Sequence, residues 1–153
     1  MRGGLPICKI ARLKSRVELS NLDAVQFLYK NLQDWRSRTL IYIDPPYYEK
    51  GRYLYHDAYD ESSHLLVSKA IKNIENMNWI VSYDDVRPIH DLYSESAWLR
   101  YTLSYSARNN FRGREAMFFS SGLKIPEVKS PLVEIEREIG VIPRSVSLRK
   151  FAA

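Results

Sequence analysis

Four consecutive residues, Asp44-Pro45-Pro46-Tyr47, combine the types needed to bind and orient a planar amino group. Two successive prolines restrict their own φ angles and hold each preceding residue in extended geometry. We therefore expect the Asp44 carboxylate and the Pro45 carbonyl side by side as hydrogen-bond acceptors, with the Tyr47 ring just beyond. Two acceptors can take the two hydrogens of an amino group while the ring stacks on an aromatic system. The alternative is a proline-stiffened loop in which Asp44 only caps backbone groups.

The apolar run at 39–43 is the element that must position this motif. Its residues are bulky and β-prone, and Pro45 ends the run. A strand that is apolar on both faces is typical of the middle of a parallel sheet covered by helices. Open α/β sheets bind their ligands at the carboxyl ends of such strands. The sequence therefore predicts the motif at the carboxyl end of a central strand.

Helical and strand patterns alternate along the rest of the chain. Predicted strands lie at 17–19, 39–43, 79–83, 99–106 and 116–120. Predicted helices lie at 24–35, from Ser62 or Ser63 to about 76, and at 88–96. This order predicts an α/β sheet with crossover connections, closed by an antiparallel hairpin of the last two strands.

The two ends of the chain differ from this central part. Residues 1–16 carry five basic side chains and no acid, which predicts an irregular basic lead-in. This lead-in is either a frayed terminus or an arm that contacts DNA. Within 123–153, the stretch from Ser130 to Gly140 has a cap, a proline and a stop typical of a helix, and a basic tail follows it.

Composition narrows the class of protein. The chain has 153 residues, 45% hydrophobic and 27% charged, which is typical of one globular domain. No apolar run is long enough for a membrane span, and the single cysteine, Cys8, excludes an internal disulfide. The three histidines show no metal-ligand spacing, so we expect no metal. We expect a cytoplasmic protein without a membrane partner, and the net charge of +5 weakly favours an anionic partner.

The segment Ile43-Asp44-Pro45-Pro46-Tyr47 resembles the catalytic motif of amino-group methyltransferases that use S-adenosylmethionine. Over residues 17–122 the order of elements resembles the adenine-specific DNA methyltransferases of the Dam-like class. Ser82-Tyr83-Asp84-Asp85 is similar to an element of that family at a strand end, and 105–115 is similar to its basic hairpin turn. Leu22-Asp23 resembles the element beside the cofactor's adenine. The resemblance implies a partial Rossmann-like methyltransferase sheet, mostly parallel, with a C-terminal antiparallel hairpin.

The implied activity is methyl transfer from S-adenosylmethionine to the 6-amino group of adenine in double-stranded DNA. The implied catalytic residues are Asp44, Pro45, Pro46 and Tyr47. The implied cofactor contacts are Asp23 and Asp44. The implied substrate contacts are Tyr47, Tyr48, Tyr83, Asp84, Arg108, Arg112 and Arg114.

Several of these roles have structural alternatives. The tyrosines at 48, 53, 55 and 59 form either a lid over the base pocket or a packed aromatic loop. The three arginines bind phosphates or belong to a solvated turn. Asp84 lines the pocket or caps a turn or helix.

The sequence departs from the family before the motif. A complete enzyme of this kind begins with a Phe-x-Gly-x-Gly turn for the methionine end of the cofactor, and no such element is present. We therefore expect the C-terminal catalytic part only, truncated or completed by a separate N-terminal half, with 1–16 as the end of a recognition segment. The missing strands would leave an exposed edge beside the strand at 17–19. Two alternatives remain: an inactive remnant that binds DNA or a partner, and a methyltransferase acting on RNA or a protein amide.

Overall fold

The computed structural model describes residues 4–35, 38–49, 51, 59–104, 112–125, 127 and 132–138. The helices are α1 (Gly4–Ala11), α2 (Ala24–Asn31), α3 (Glu61–Lys72) and α4 (Arg87–Leu92), with a 3-10 turn at Lys14–Arg16. The strands are β1 (Leu40–Ile43), β2 (Asn78–Asp84), β3 (Ala97–Ser104), β4 (Arg112–Phe119) and β5 (Val133–Glu138). They form one mixed sheet in the order β1-β2-β4-β3-β5.

The sheet is mostly antiparallel, so the expectation of a mostly parallel, Rossmann-like sheet is wrong. Among the described strands β1 and β2 alone run parallel, with Ile41 opposite Trp79 and Ile43 opposite Val81. The pairs β2–β4, β4–β3 and β3–β5 are all antiparallel. A parallel neighbour needs a crossover connection. The segment between β1 and β2, which contains α3, is such a connection. β4 instead lies antiparallel between β2 and β3, and β5 pairs antiparallel with β3.

β1 lies at the edge of the described sheet and not in its middle. Leu40 and Tyr42 are each 56% exposed, whereas Ile41 between them is buried in the hydrophobic core. The apolar run at 39–43 predicted cover on both faces. The described helices cover only the face of β1 that carries Ile41. Because β1 is an edge strand covered on one face, the prediction of a central strand covered on both faces was wrong.

The hydrophobic core lies between that face of the sheet and helices α2, α3 and α4. Alternation along each strand directs every second side chain to this face. The core residues are Leu28, Ile41, Val67, Ala70, Ile71, Ile74, Trp79, Val81, Tyr83, Ile89, Tyr93, Ala116 and Phe118.

An aspartate side chain caps the N-terminus of α2, and another caps the N-terminus of α3. Asp23 accepts hydrogen bonds from the backbone N–H groups of Val25 (2.9 Å) and Gln26 (3.2 Å) at the start of α2. Asp60 accepts from the Ser63 N–H at 2.8 Å at the start of α3. For α3 the predicted cap was Ser62 or Ser63, and Asp60 takes that place, where its charge also interacts favourably with the helix dipole.

The predicted antiparallel hairpin is confirmed. β3 pairs with β4 in a continuous register from Ala97 opposite Phe119 to Ser104 opposite Arg112. β3 begins and ends two residues earlier than predicted, and β4 begins four residues earlier. The turn that joins them lies outside the described residues.

The prediction of a helix at 130–140 is wrong, because β5 occupies residues 133–138 and pairs with β3. The spacing of Leu132 and Ile135 suits a helix, yet Val133 and Ile135 also alternate with charged residues as in a strand. The open edge of β3 decides the outcome by offering backbone partners. Side chains add to the pairing, since the indole Nε1 of Trp98 donates to Glu138 at 2.8 Å.

The N-terminal predictions are also corrected. Residues 4–11 form α1 within the expected irregular lead-in, and Pro6 is tolerated because it lies in the first helical turn. The predicted strand at 17–19 is absent, and with it the expected sheet edge at that position. Leu19 is 94% exposed, and none of the described strands pairs with this segment.

Candidate functional site

Asp44 follows β1 directly, and a side chain of β2 fixes its carboxylate. The Ser82 hydroxyl donates to Asp44 Oδ1 at 2.8 Å, and the Tyr42 hydroxyl lies 2.9 Å from Ser82 Oγ. Because the single Ser82 proton goes to Asp44, Tyr42 must be the donor to Ser82. These two hydrogen bonds hold one oxygen of the exposed Asp44 carboxylate at the carboxyl end of the parallel strands β1 and β2.

Asp84 holds the far end of the segment at 44–49, which begins with Asp44. Its Oδ1 accepts from the Tyr48 backbone N–H at 2.8 Å, and its Oδ2 accepts from the Glu49 backbone N–H at 2.9 Å. The Asp84 residue is only 3% exposed. A buried carboxylate is stable when such donors satisfy both oxygens. The structure therefore puts the predicted substrate contact Asp84 against the backbone of the 44–49 segment.

The remaining motif residues are partly enclosed. Pro45 is buried, and Pro46 and Tyr47 are half-buried. The Tyr47 carbonyl accepts from the Gly51 N–H at 2.9 Å, which closes a turn after the motif. A Cβ at Gly51 would lie 3.4 Å from Pro46, in ordinary van der Waals contact with the second proline.

A buried polar pair continues this face of the sheet toward β3. Glu115 lies opposite Asp84 on one side and Tyr101 on the other, so all three side chains share a face. Burial raises the pKa of the Tyr101 phenol, and its hydrogen bond to Glu115 raises it further. Electrostatic interaction with Tyr47 and Tyr42 raises this pKa slightly more.

Four of these polar residues were not predicted from the sequence as site residues: Tyr42, Ser82, Tyr101 and Glu115. A usable signal was present in the period-two spacing. Tyr42 and Asp44 are two apart, as are Ser82 and Asp84, so adjacent parallel strands present both pairs on one face. Nothing local identified Tyr101 and Glu115, because their pairing depends on the hairpin register.

Two tyrosines of the proposed lid pack around a buried histidine. The Tyr48 and Tyr59 rings lie 5.1 Å and 5.5 Å from the His64 ring, measured between centroids. The Tyr48 hydroxyl donates to Glu61 at 3.0 Å. For these two residues the contacts favour a packed aromatic group, while Tyr53 and Tyr55 lie outside the described residues.

Tyr83, a predicted substrate contact, lies in the core on the opposite face of β2 from Ser82 and Asp84. Its side chain is fully buried, and its hydroxyl lies 3.1 Å from His64 Nδ1. Burial raises the pKa of the Tyr83 phenol, so this group is a neutral hydrogen-bonding partner. Tyr83 is therefore placed as a core residue that packs beneath the site.

Asp23, the predicted cofactor contact, lies at the start of α2 and near the aromatic group. Burial raises the pKa of the Tyr59 phenol, and the Asp23 carboxylate raises it further, so the two side chains are close. Both capping bonds of Asp23 use Oδ1. Among the described residues no hydrogen bond involves its Oδ2.

The predicted phosphate contacts are described in part. Arg114 is exposed on β4, opposite Thr102 of β3. Arg112 is the first residue of β4, and Arg108 lies outside the described residues. Of the three arginines, Arg114 is the one whose side chain the structure describes.

The donor set fits the reacting part of S-adenosylmethionine, which is a sulfonium cation. Asp44 contributes an exposed carboxylate, and Tyr42 and Tyr47 contribute aromatic rings near it in the chain. Carboxylates and aromatic faces both attract cations. Asp44 is thus the residue best suited to the reacting end of the cofactor, and Asp23 is the second candidate contact.

Comparisons with known proteins add no family assignment. The chain matches no protein-family model and no curated protein sequence. Within the described residues, every helix is too short or too polar to cross a lipid bilayer.

Proposed function

We propose that this chain transfers a methyl group from S-adenosylmethionine to the 6-amino group of adenine in DNA. The observation that carries the proposal is the exposed Asp44 carboxylate at the end of β1, with Oδ1 held by Ser82 at 2.8 Å. An acceptor of fixed orientation beside a tyrosine suits a planar base that bears an amino group. The resemblance of residues 43–47 to an amino-methyltransferase motif supports the same chemistry.

In the proposed mechanism the target adenine is flipped out of the duplex and stacks on Tyr47. The Asp44 carboxylate and the Pro45 carbonyl accept the two amino hydrogens, which orients the nitrogen lone pair. When bound, S-adenosylmethionine would supply an electrophilic methyl group, with its sulfur–methyl bond breaking as the nitrogen–methyl bond forms and the thioether S-adenosylhomocysteine leaving. Asp44 stabilises the positive charge that develops on the nitrogen, and the surplus proton then leaves to solvent.

Cofactor binding is proposed to need more than this chain. Asp23 and Asp44 are the contacts that this sequence offers, and its six glycines form no Phe-x-Gly-x-Gly element. We therefore propose that a separate segment or polypeptide binds the methionine end of S-adenosylmethionine.

Double-stranded DNA is the proposed substrate. The exposed Arg114, together with Arg108 and Arg112, would contact phosphates next to the flipped base. Phosphate contacts of this kind orient the duplex and carry no sequence information.

A second candidate function is a non-catalytic module that binds DNA or a protein partner. It is favoured by the exposed apolar side chains of the edge strand, Leu40 and Tyr42. Unpaired edges with apolar residues are common contact sites for other chains.

Methyl transfer is tested with methyl-labelled S-adenosylmethionine and duplex DNA that lacks adenine methylation. We expect Asp44→Ala to lower incorporation by about 10²–10³-fold, as for loss of one charge-stabilising group. The matched control is Asp34→Ala, which removes another exposed aspartate outside the site and should leave incorporation unchanged.

Equal and measurable incorporation by wild type and Asp44→Ala would refute the role of Asp44. Calorimetric titration with S-adenosylmethionine and then with DNA separates the two candidate functions. DNA binding without cofactor heat or methyl incorporation would favour the binding module.

A further inference from the structure

Two side chains of β2 contact opposite ends of one short segment. Ser82 and Asp84 are two residues apart, so they lie on the same face of the strand. Ser82 contacts Asp44, the first residue of the segment, and Asp84 contacts the backbone of Tyr48 and Glu49 at its far end. The four residues of the Asp-Pro-Pro-Tyr motif therefore lie between two anchors on one strand.

The chemistry of Asp84 indicates an internal role. Each of its carboxylate oxygens already accepts one backbone N–H, and the residue is almost fully buried. Hydrogen bonds from backbone N–H groups to a carboxylate are about twice as strong as neutral ones. Such a pair of bonds can hold a loop in one conformation.

We infer that Ser82 and Asp84 are positioning residues that set the Asp44 carboxylate and the Tyr47 ring relative to each other. The catalytic consequence rests on the proposed function, whereas the anchoring itself does not. Misplacement by about 1 Å can cost a reaction about 10²-fold, so loss of either anchor should lower turnover more than substrate binding.

Amide hydrogen exchange measures the anchoring directly. In Asp84→Asn one of the two acceptors is replaced by an N–H₂ group, which cannot accept. We expect exchange at the Tyr48 and Glu49 amides to accelerate at least about tenfold, because each loses or weakens a hydrogen bond to a charged group. Asp85→Asn is the matched control, since Asp85 contacts His90 and Arg100 and not this segment.

A measurement on the wild-type chain covers the case in which Asp84→Asn does not fold. In the wild-type chain the amides of Tyr48 and Glu49 should be protected from exchange and should show scalar couplings across their hydrogen bonds to the Asp84 carboxylate carbon. Amides that are unprotected, or that show no such coupling, would overturn the anchoring.

Methyl transfer tests the role of Ser82. We expect Ser82→Ala to lower kcat about tenfold or more with little change in KM, and Ser82→Thr to restore it because a hydroxyl remains. Ser120→Ala is the matched control: Ser120 is also buried and hydrogen-bonded, but it accepts from the Trp79 N–H at the other end of β2. Unchanged kcat in Ser82→Ala, or an equal loss in Ser120→Ala, would contradict positioning by Ser82.

The two kinds of failure are distinguishable. Wild-type protein without methyl transfer, but with Asp84-dependent protection of the two amides, would contradict the proposed function and retain the anchoring. Methyl transfer by a wild-type protein in which the Tyr48 and Glu49 amides are unprotected would support the proposed function and contradict the anchoring.

Discussion

The Tyr101 hydroxyl donates to Glu115 Oε2 across the β3–β4 hairpin at 2.8 Å, and both residues are only 2% exposed. A hydrogen bond to a charged group contributes about 1.5–3 kcal/mol to stability. We expect Tyr101→Phe to lower the free energy of unfolding by about that amount, measured by urea denaturation. Leu103 and Ser104, further along β3, continue the same pairing with β4. A change below about 0.5 kcal/mol would contradict a stabilising role for this buried pair.

Adjacent residues of β1 should respond very differently to substitution. Leu40 is exposed and Ile41 is buried at 6%. Leu40→Thr is therefore expected to change the free energy of unfolding by less than about 0.5 kcal/mol, whereas Ile41→Ala should cost about 2–5 kcal/mol. Thermal or urea unfolding of both variants measures the contrast. Comparable losses at the two positions would indicate that β1 is covered on both faces.

The cap of α3 should make stability depend on pH at the acidic end. Hydrogen bonds from Ser63 and Ser62 lower the pKa of Asp60 from 3.8 to about 2. A carboxyl whose folded pKa is lowered stabilises the fold above its unfolded pKa and loses that contribution as pH falls toward the folded value. The stability advantage of wild type over Asp60→Ala should therefore shrink between about pH 4 and pH 2.

Asp60→Ser is the control for this cap, because serine also caps helices but does not titrate in this range. Urea denaturation at several pH values gives the required comparison. An advantage over Asp60→Ala that stays constant down to pH 2 would exclude Asp60 as the titrating cap.

Arg100 connects three elements, and its loss should destabilise the attachment of β5. Its guanidinium forms ion pairs with Asp85, at 2.7 Å, and with Glu136 of β5. We expect Arg100→Met to lower the free energy of unfolding by about 2 kcal/mol, because the nearly buried Asp85 loses a charged partner. Arg87→Met is the control, since Arg87 pairs with Asp91 on the exposed surface and should change stability by less than about 0.5 kcal/mol.

Hydrogen exchange at the β5 amides separates local from global effects of Arg100→Met. We expect faster exchange in β5 than in β2, because β5 pairs with β3 alone in the described sheet. Uniform acceleration in both strands would mean that the variant lowers global stability without loosening β5.

Much of the local structure could be predicted from short sequence patterns. The apolar run before Pro45, the helical spacing at 24–35 and the alternation at 79–83 correspond to β1, α2 and β2. These predictions succeeded because strand and helix periodicities extend over only a few neighbouring residues. The prediction of a helix at 130–140 was wrong because the pattern there suits both the helical and the strand period. The open edge of β3 favours the strand by offering backbone partners.

The sequence by itself determined the chemistry available at the end of β1, namely a carboxylate, two prolines and a tyrosine in a row. Only the tertiary structure decided which groups hold them. Ser82 and Asp44 are 38 positions apart, and Asp84 and Tyr48 are 36 apart, so these contacts depend on the parallel register of two strands. The same holds for the edge position of β1 and the mostly antiparallel sheet. Strand order is set by long-range pairing and burial, which no short window of residues encodes.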